Sequence, residues 1–214
     1  MNVLIACEES QEVCKAFREK GHRAFSCDIQ ECSGGHPEWH IQGDVLPLLN
    51  GRCEFILQNG QTDRQTDVWD LIIAHPPCTH LAVSGARHFA AKQKDGRQQK
   101  AIVFFMQMAL ANCEKIAVEN PVCIMSSAWR KPDQIIQPYY FGDPHKKTTC
   151  LWLKGLPELQ YTEIVKPTLV SYKCKNGKVV TFDECMVKGI EGDRSKHRSK
   201  TFHGIAQAMA DQWG

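Results

Sequence analysis

The stretch Asp70–Leu81, DLIIAHPPCTHL, decides how the rest of the chain is read. Leu71 to Ala74 are uniformly apolar, which suits a short strand buried on both faces, and such strands belong to parallel sheets covered by helices. Pro76 and Pro77 then break the strand and deliver Cys78 on a stiffened turn. In an open parallel sheet, ligands bind at the carboxyl ends of the strands, so a thiol delivered there has the placement of a held nucleophile. The alternative is a proline-stiffened loop with an inert thiol, since free cysteine is among the most buried of residues.

Working outward, Val3 to Ala6 is a second apolar run, followed by CEES. Ser10 opens a stretch in which Val13, Ala16 and Phe17 share one helical face, and Gly21 suits its C-terminal cap. Arg23 to Cys27 reads as a strand finishing at Asp28, which completes a strand, helix and strand and implies a parallel pair. After the loop CSGGHPEWH, His40 to Val45 reads as a third strand with Asp44 at its end. Asn59-Gly60, between strand-like residues, predicts a type I′ hairpin inserted at the surface over 52–67.

Downstream of Cys78, Arg97 to Cys113 is apolar enough for a buried helix, and KIAVEN from Lys115 reads as an inner strand ending on Glu119, Asn120 and Pro121. Thr148 to Leu153 suggests another strand, Asn176-Gly177 a second hairpin, and Thr201 to Trp213 a closing helix. The expected architecture is one α/β domain over 1–214: a Rossmann-like sheet with helices on both faces and hairpin insertions.

With 214 residues and 43% hydrophobic content, the chain can bury a full core. Lys and Arg total 26 against 24 Asp and Glu, so no global charge draws the protein to nucleic acid, and such contacts would come from local clusters. Eleven cysteines, odd in number and irregularly spaced, point to reduced thiols rather than a disulfide framework. No stretch approaches a signal peptide or a membrane helix, so a cytoplasmic protein is expected.

Polar groups gather at the expected strand ends: Glu8 and Glu9, Asp28, Asp44, Cys78, and Glu119 with Asn120. Acids at the ends of the first strands suit a ligand with ribose hydroxyls and an exocyclic amine. A thiol facing a carboxyl group makes a nucleophile and acid pair, with the carboxyl pKa raised if the site is dry. Cys27, Cys32, His36 and His40 offer soft ligands, but their crowding misses the usual two-knuckle zinc pattern. Two basic groups suit phosphates: Arg194, Lys196, His197, Arg198 and Lys200, and Lys92, Lys94, Arg97 and Lys100 just after the Cys78 loop. For each, a solvated face is an equal alternative.

The order of a strand, helix and strand ending in an acid, then GDV, then PPC after a strand and ENP after the next, resembles the C5-cytosine DNA methyltransferases. The resemblance implies S-adenosylmethionine as cofactor and DNA as substrate. Cys78 would add to C6 of a flipped-out cytosine, and Glu119 would hydrogen-bond and protonate its N3 edge. Asn120 would hold the loop or the base, and Lys147, in FGDPHKKTTCLWL, falls on an arginine of the family's Pro-Gln-x-Arg-x-Arg segment. Asp28 falls on the acid for the cofactor ribose, Ile29 on its adenine-packing neighbour, and Asp44 with Val45 on the contacts to the adenine. Cys7, Glu8 and Glu9 of the first loop and Pro76 complete the implied cofactor contacts. The closing HGIAQAMADQW is similar to a terminal helix returning to the cofactor site, with Gly204 at its start.

The chain departs from that pattern in three places. The family's Phe-x-Gly-x-Gly loop is replaced by the glycine-free ACEESQEV, which leaves the backbone amides at the start of the following helix to hold an anionic group. Lys147 and Thr149 stand for two arginines. The region left for reading DNA sequence, about 155–198, is small, with lysines 173, 175 and 178 suited to phosphates, so selectivity is expected to be loose. Other readings of the same residues are a cysteine hydrolase or transferase pairing Cys78 with His75 or His80, a methyltransferase fold that only binds nucleic acid, and an enzyme modifying free pyrimidine nucleotides.

Overall fold

The computed structural model describes residues 1–174, 177, 179–183 and 200–214. The Asn176 turn, Lys175, Lys178 and the basic stretch Arg194 to Arg198 lie outside the described residues.

A seven-stranded sheet forms the centre. In chain order its strands are β1 (Asn2–Ala6), β2 (Arg23–Asp28), β3 (His40–Gln42), β6 (Leu71–Ala74), β7 (Ile116–Pro121), β8 (Gln134–Ile136) and β9 (Thr149–Lys154). Across the sheet the order is β3-β2-β1-β6-β7-β9-β8. The first five pair in parallel, and β9 runs antiparallel to both β7 and β8. Every residue of β6 is buried, as expected of a strand covered on both sides.

Alternate residues of β1 feed two cores. Val3 and Ile5 pack with Val13 and Phe17 of α1 (Glu12–Glu19) and with Ile205, Met209 and Trp213 of the closing helix, His203–Trp213. Leu4 and Ala6 face Phe105 and Met108 of the helix Arg97–Ala109 on the other side. In chain order the remaining helices are α2 (Phe89–Lys94) and α4 (Met125–Ala128), so Arg97–Ala109 is α3 and His203–Trp213 is α5. This is the α/β, Rossmann-like class expected from the strand and helix runs, a largely parallel sheet with helices on both faces.

Several local expectations change. The third strand stops at Gln42, so Asp44 lies beyond it, and Val45 turns into the core beneath a short 3-10 turn. The first hairpin exists as β4 (Cys53–Ile56) and β5 (Thr62–Gln65), but only Gly60 of its turn has positive φ, +87°, whereas a type I′ turn requires Asn59 to share it. It is also no mere surface insertion: Phe55 and Leu57 are buried, and Phe55 packs edge-on against Phe25 with ring centroids 5.1 Å apart. β8 has no counterpart in the expected strands. The second hairpin pairs β10 (Leu169–Lys173) with β11 (Val179–Asp183). No helix among the described residues is long and apolar enough to cross a membrane.

Candidate active site

The sheet register sets the site. Ala6, Cys27, Ala74 and Val118 stand at one level across β1, β2, β6 and β7. Cys7, Asp28, His75 and Glu119 are each the next residue along, so they make the rung at the carboxyl edge where ligands bind in such sheets. Because β9 is reversed, its beginning rather than its end lies here: Thr149 pairs with Pro121, and Lys147 enters the same edge.

The Cys78 loop is held from three sides. Asn120 donates from Nδ2 to the Pro76 carbonyl (2.7 Å), Lys92 from Nζ to the Thr79 carbonyl (2.6 Å), and Gln98 from Nε2 to the His80 carbonyl (3.3 Å). Cys78 opens a single 3-10 turn, and its own carbonyl accepts from Leu81 and Ala82. Lys92 is therefore no phosphate-tracking surface lysine; it is 8% exposed and its ammonium is used inside the protein. Lys94, Arg97 and Lys100 remain exposed, with Arg97 paired to Asp95.

Glu119 faces His75, with Oε2 3.2 Å from Nδ1. Burial works to raise the Glu119 pKa, but the His75 hydrogen bond and the charges of Lys147 and His75 outweigh it, and the carboxyl is held below its ordinary range. The dry-site expectation of a raised carboxyl is therefore reversed in the free protein. The same hydrogen bond engages Nδ1 of His75 with Glu119, while Nε2 has no hydrogen-bond partner among the described residues. Cys123 and Cys150 also face Glu119, and burial pushes both thiols up to about 11.

The first loop is closed rather than open. Glu8 turns inward, 4% exposed, and its two carboxylate oxygens accept from the Val13 and Cys14 amides at the start of α1 (2.7 and 3.2 Å). The backbone amides expected to hold an anionic ligand are thus already bound to a carboxyl group of the protein itself. The helix begins at Glu12, two residues later than Ser10 suggested, because this carboxylate caps it from the preceding loop. Cys7 and Gln11 take left-handed φ of 60° and 59°, a conformation that costs a non-glycine residue roughly 1–3 kcal/mol. The loop keeps a glycine-type path without its glycines. Gly34 supplies one from the neighbouring loop: a Cβ there would lie 2.5 Å from both Gln11 Cβ and the Ser10 carbonyl.

Burial raises the Glu8 pKa, with the His75 charge and the two amides acting against it. The folded chain therefore holds this proton to higher pH than the unfolded chain, and the stability Glu8 contributes is greatest below the ordinary carboxyl range and is lost as pH rises through the folded value. Glu8→Gln should remove that slope. Urea unfolding of both proteins at pH 5 and pH 8 is expected to show the variant gaining on wild type at the higher pH; a gap independent of pH would mean Glu8 is ionised throughout.

At the ends of β2 and β3, burial and the charges of Asp28, Cys27 and Asp44 push the Cys7 thiol far up, which places these residues in one neighbourhood. Ile29 beside them is 77% exposed. Asp28 and Asp44 each accept one backbone amide two residues on and keep further acceptor capacity. Pro76 is buried, and Glu9 is 6% exposed. The zinc candidates are dispersed: His40 is fully buried between Ser26 Oγ and the Gln30 carbonyl (both 2.9 Å), and His36 pairs with Glu38 and stacks on Trp39. No cluster of metal ligands occurs among the described residues.

Several buried polar atoms at this edge have no hydrogen-bond partner among the described residues: His75 Nε2, His80 Nδ1, Asn120 Oδ1 and Gln137 Oε1. Buried polar groups are usually satisfied, and two of these, on His75 and His80, flank Cys78 in the chain, while Asn120 holds its loop. Sequence reasoning gave His75 and Lys92 other partners and missed Gln137 and Gln98. A histidine directly before Pro-Pro-Cys was the one visible signal.

No family model matches the chain, and no curated protein matches it. Among solved structures it resembles a candidate DNA modification methyltransferase encoded within a prophage (E. coli), with 16% identity and a TM-score of 0.48. The match covers 78% of this chain and 52% of that one, so the chain spans about half the length of that protein.

Proposed function

We propose that this chain is an S-adenosylmethionine-dependent DNA methyltransferase acting at C5 of cytosine, with Cys78 adding to C6 of an extruded base and Glu119 serving N3. The observation that carries this is the carboxyl edge: His75, which begins the doubly proline-stiffened turn to Cys78, is hydrogen-bonded to Glu119, and Asn120 anchors that turn through Pro76. Asn120 anchors the nucleophile's loop through Pro76 and keeps Oδ1 for the base.

The residues fit the nucleoside half of the cofactor. Asp28 and Asp44 supply acceptors for hydroxyls and an amine, and exposed Ile29 supplies an apolar surface for the adenine. The amides of α1 do not serve its carboxylate, because Glu8 occupies them. When bound, the cofactor supplies an electrophilic methyl group. Asp28→Ala should weaken its binding by about 1–3 kcal/mol, roughly 5- to 150-fold in Kd. Titration calorimetry checks this, and equal affinity in both proteins would move the ribose elsewhere.

The decisive experiment incubates the protein and labelled cofactor with random-sequence duplex DNA and, separately, with free pyrimidine nucleotides, then maps 5-methylcytosine at base resolution. Methylation of the duplex supports the proposal, and methylation of the free nucleotide alone replaces it. The closed Glu8 loop favours one rival, a fold that binds nucleic acid without catalysis, for which DNA binding with no cofactor heat is the expected result.

A further inference from the structure

We infer that His75 is the positioning residue of Glu119: through Nδ1 it fixes the carboxyl group and passes to it the proton that N3 takes up when Cys78 adds to C6. This inference rests on the cytosine reading above. It starts from the register, in which Ala74 and Val118 pair across β6 and β7 and His75 and Glu119 are the following residues. Their side chains meet at 3.2 Å, only 10% and 14% exposed, and this is the hydrogen bond the structure gives the Glu119 carboxyl. His75 also begins the turn that carries Cys78, so one residue ties nucleophile and acid together. Its Nε2 is buried and lacks a partner among the described residues.

The chemistry needs such a residue. Glu119 is held ionised in the free protein, whereas activating a cytosine at N3 requires a proton. An imidazolium at His75 supplies it. As the Cys78 thiolate forms the C6–S bond and the ring electron pair shifts, the Nδ1–H bond breaks, Glu119 relays the proton to N3, and the carboxylate is regenerated. One negative and one positive charge are consumed together, so total charge is unchanged. When the C6–S bond breaks, the N3 proton returns by the same route to Nδ1.

The titratable and charged groups around this pair are Glu8 from the loop after β1, whose charge acts on His75, and Lys147, Cys123 and Cys150, which act on Glu119. Cys78 lies on the same turn as His75. Against that background the imidazolium requirement gives a rate that falls as pH rises, and the thiolate requirement gives one that climbs.

His75→Asn retains a donor to Glu119 without a transferable proton. Its kcat should fall on the order of 10- to 100-fold, with KM for DNA and cofactor within about twofold and the limb that falls with rising pH erased. His75→Ala, lacking the donor as well, should fall further, so the Asn variant recovers part of the loss. A His75→Asn profile of wild-type shape overturns the inference. A readout that needs no His75 variant is the nuclear magnetic resonance signal of the His75 ring in wild type and Glu119→Gln. Removing the carboxylate should displace the hydrogen-bonded Nδ1 resonance, and an unchanged resonance also overturns the pairing. Adduct formation by wild type on a duplex containing 5-fluorocytosine is measured first. No adduct removes the cytosine reading and the relay with it, whereas an adduct alongside an unaltered His75→Asn profile removes the relay alone.

Discussion

Cys78→Ser will yield no covalent adduct with DNA and will reduce methylation on the order of 10⁴-fold or more. A serine hydroxyl is far less acidic and less nucleophilic than a thiol. In a duplex carrying 5-fluorocytosine, the thiol adds to C6 and C5 is methylated, but fluorine cannot leave as a proton, so the C6–S bond persists. Wild type with cofactor should therefore shift on a denaturing gel, and peptide mapping should place the base on Cys78 among the eleven cysteines of the sequence. Cys123 and Cys150 are the natural competitors because they too face Glu119. Burial pushes both up to about 11, however, which leaves them largely protonated at neutral pH. A base found on either, or full turnover by the serine variant, would move the nucleophile.

Trp152→Ala is expected to cost about 3–5 kcal/mol of folding stability, a large share of the roughly 5–15 kcal/mol typical of a domain. Trp152 is 1% exposed and meets the edge of Phe105 at 5.2 Å, which joins β9 to α3 across one face of the sheet. Its Nε1–H donates to the Arg130 carbonyl (2.9 Å), which the truncation leaves without that donor. Urea unfolding should show the midpoint drop, while Val103→Ala, on the exposed side of the same α3, should stay within about 0.5 kcal/mol. A loss below about 1 kcal/mol for Trp152→Ala would contradict the packing of β9 between β7 and β8.

The sheet was legible because β1, β2, β6 and β7 are buried so completely that their sequences are apolar runs punctuated by Gly, Pro or acids. β8 was not, because Gln134–Ile136 is short, with Ile135 exposed and Gln134 spent on the Leu159 backbone. That the Cys78 loop and Glu119 come to one edge of the sheet could be read from the ends of their strands. His75 could not, since its partner lies 44 positions away and only the β6–β7 register brings them together. Hydrophobic periodicity reports which face is buried and says nothing about neighbours distant in the chain. Charge misled at Lys92 and Glu8 for a related reason: one was read as a phosphate contact and the other as a ligand contact, and each is spent on backbone groups of the protein.

The reversal of β9 also fixes the route of everything after it. A strand that starts at the catalytic edge finishes at the opposite pole, so the chain must travel back across the molecule before α5 can start beside Asp143, whose carboxylate accepts from the Gly204 amide. The β10–β11 hairpin rides on that return leg and is moored at the catalytic end, where Asp183 accepts from His145 and the Lys146 amide, one residue before Lys147. Such a leg has both attachments supplied by the scaffold, so its length can change without moving where it lands. It has the attachments of an exchangeable cassette, and a longer segment grafted between Leu156 and Lys200 should leave the sheet edge and α5 in place.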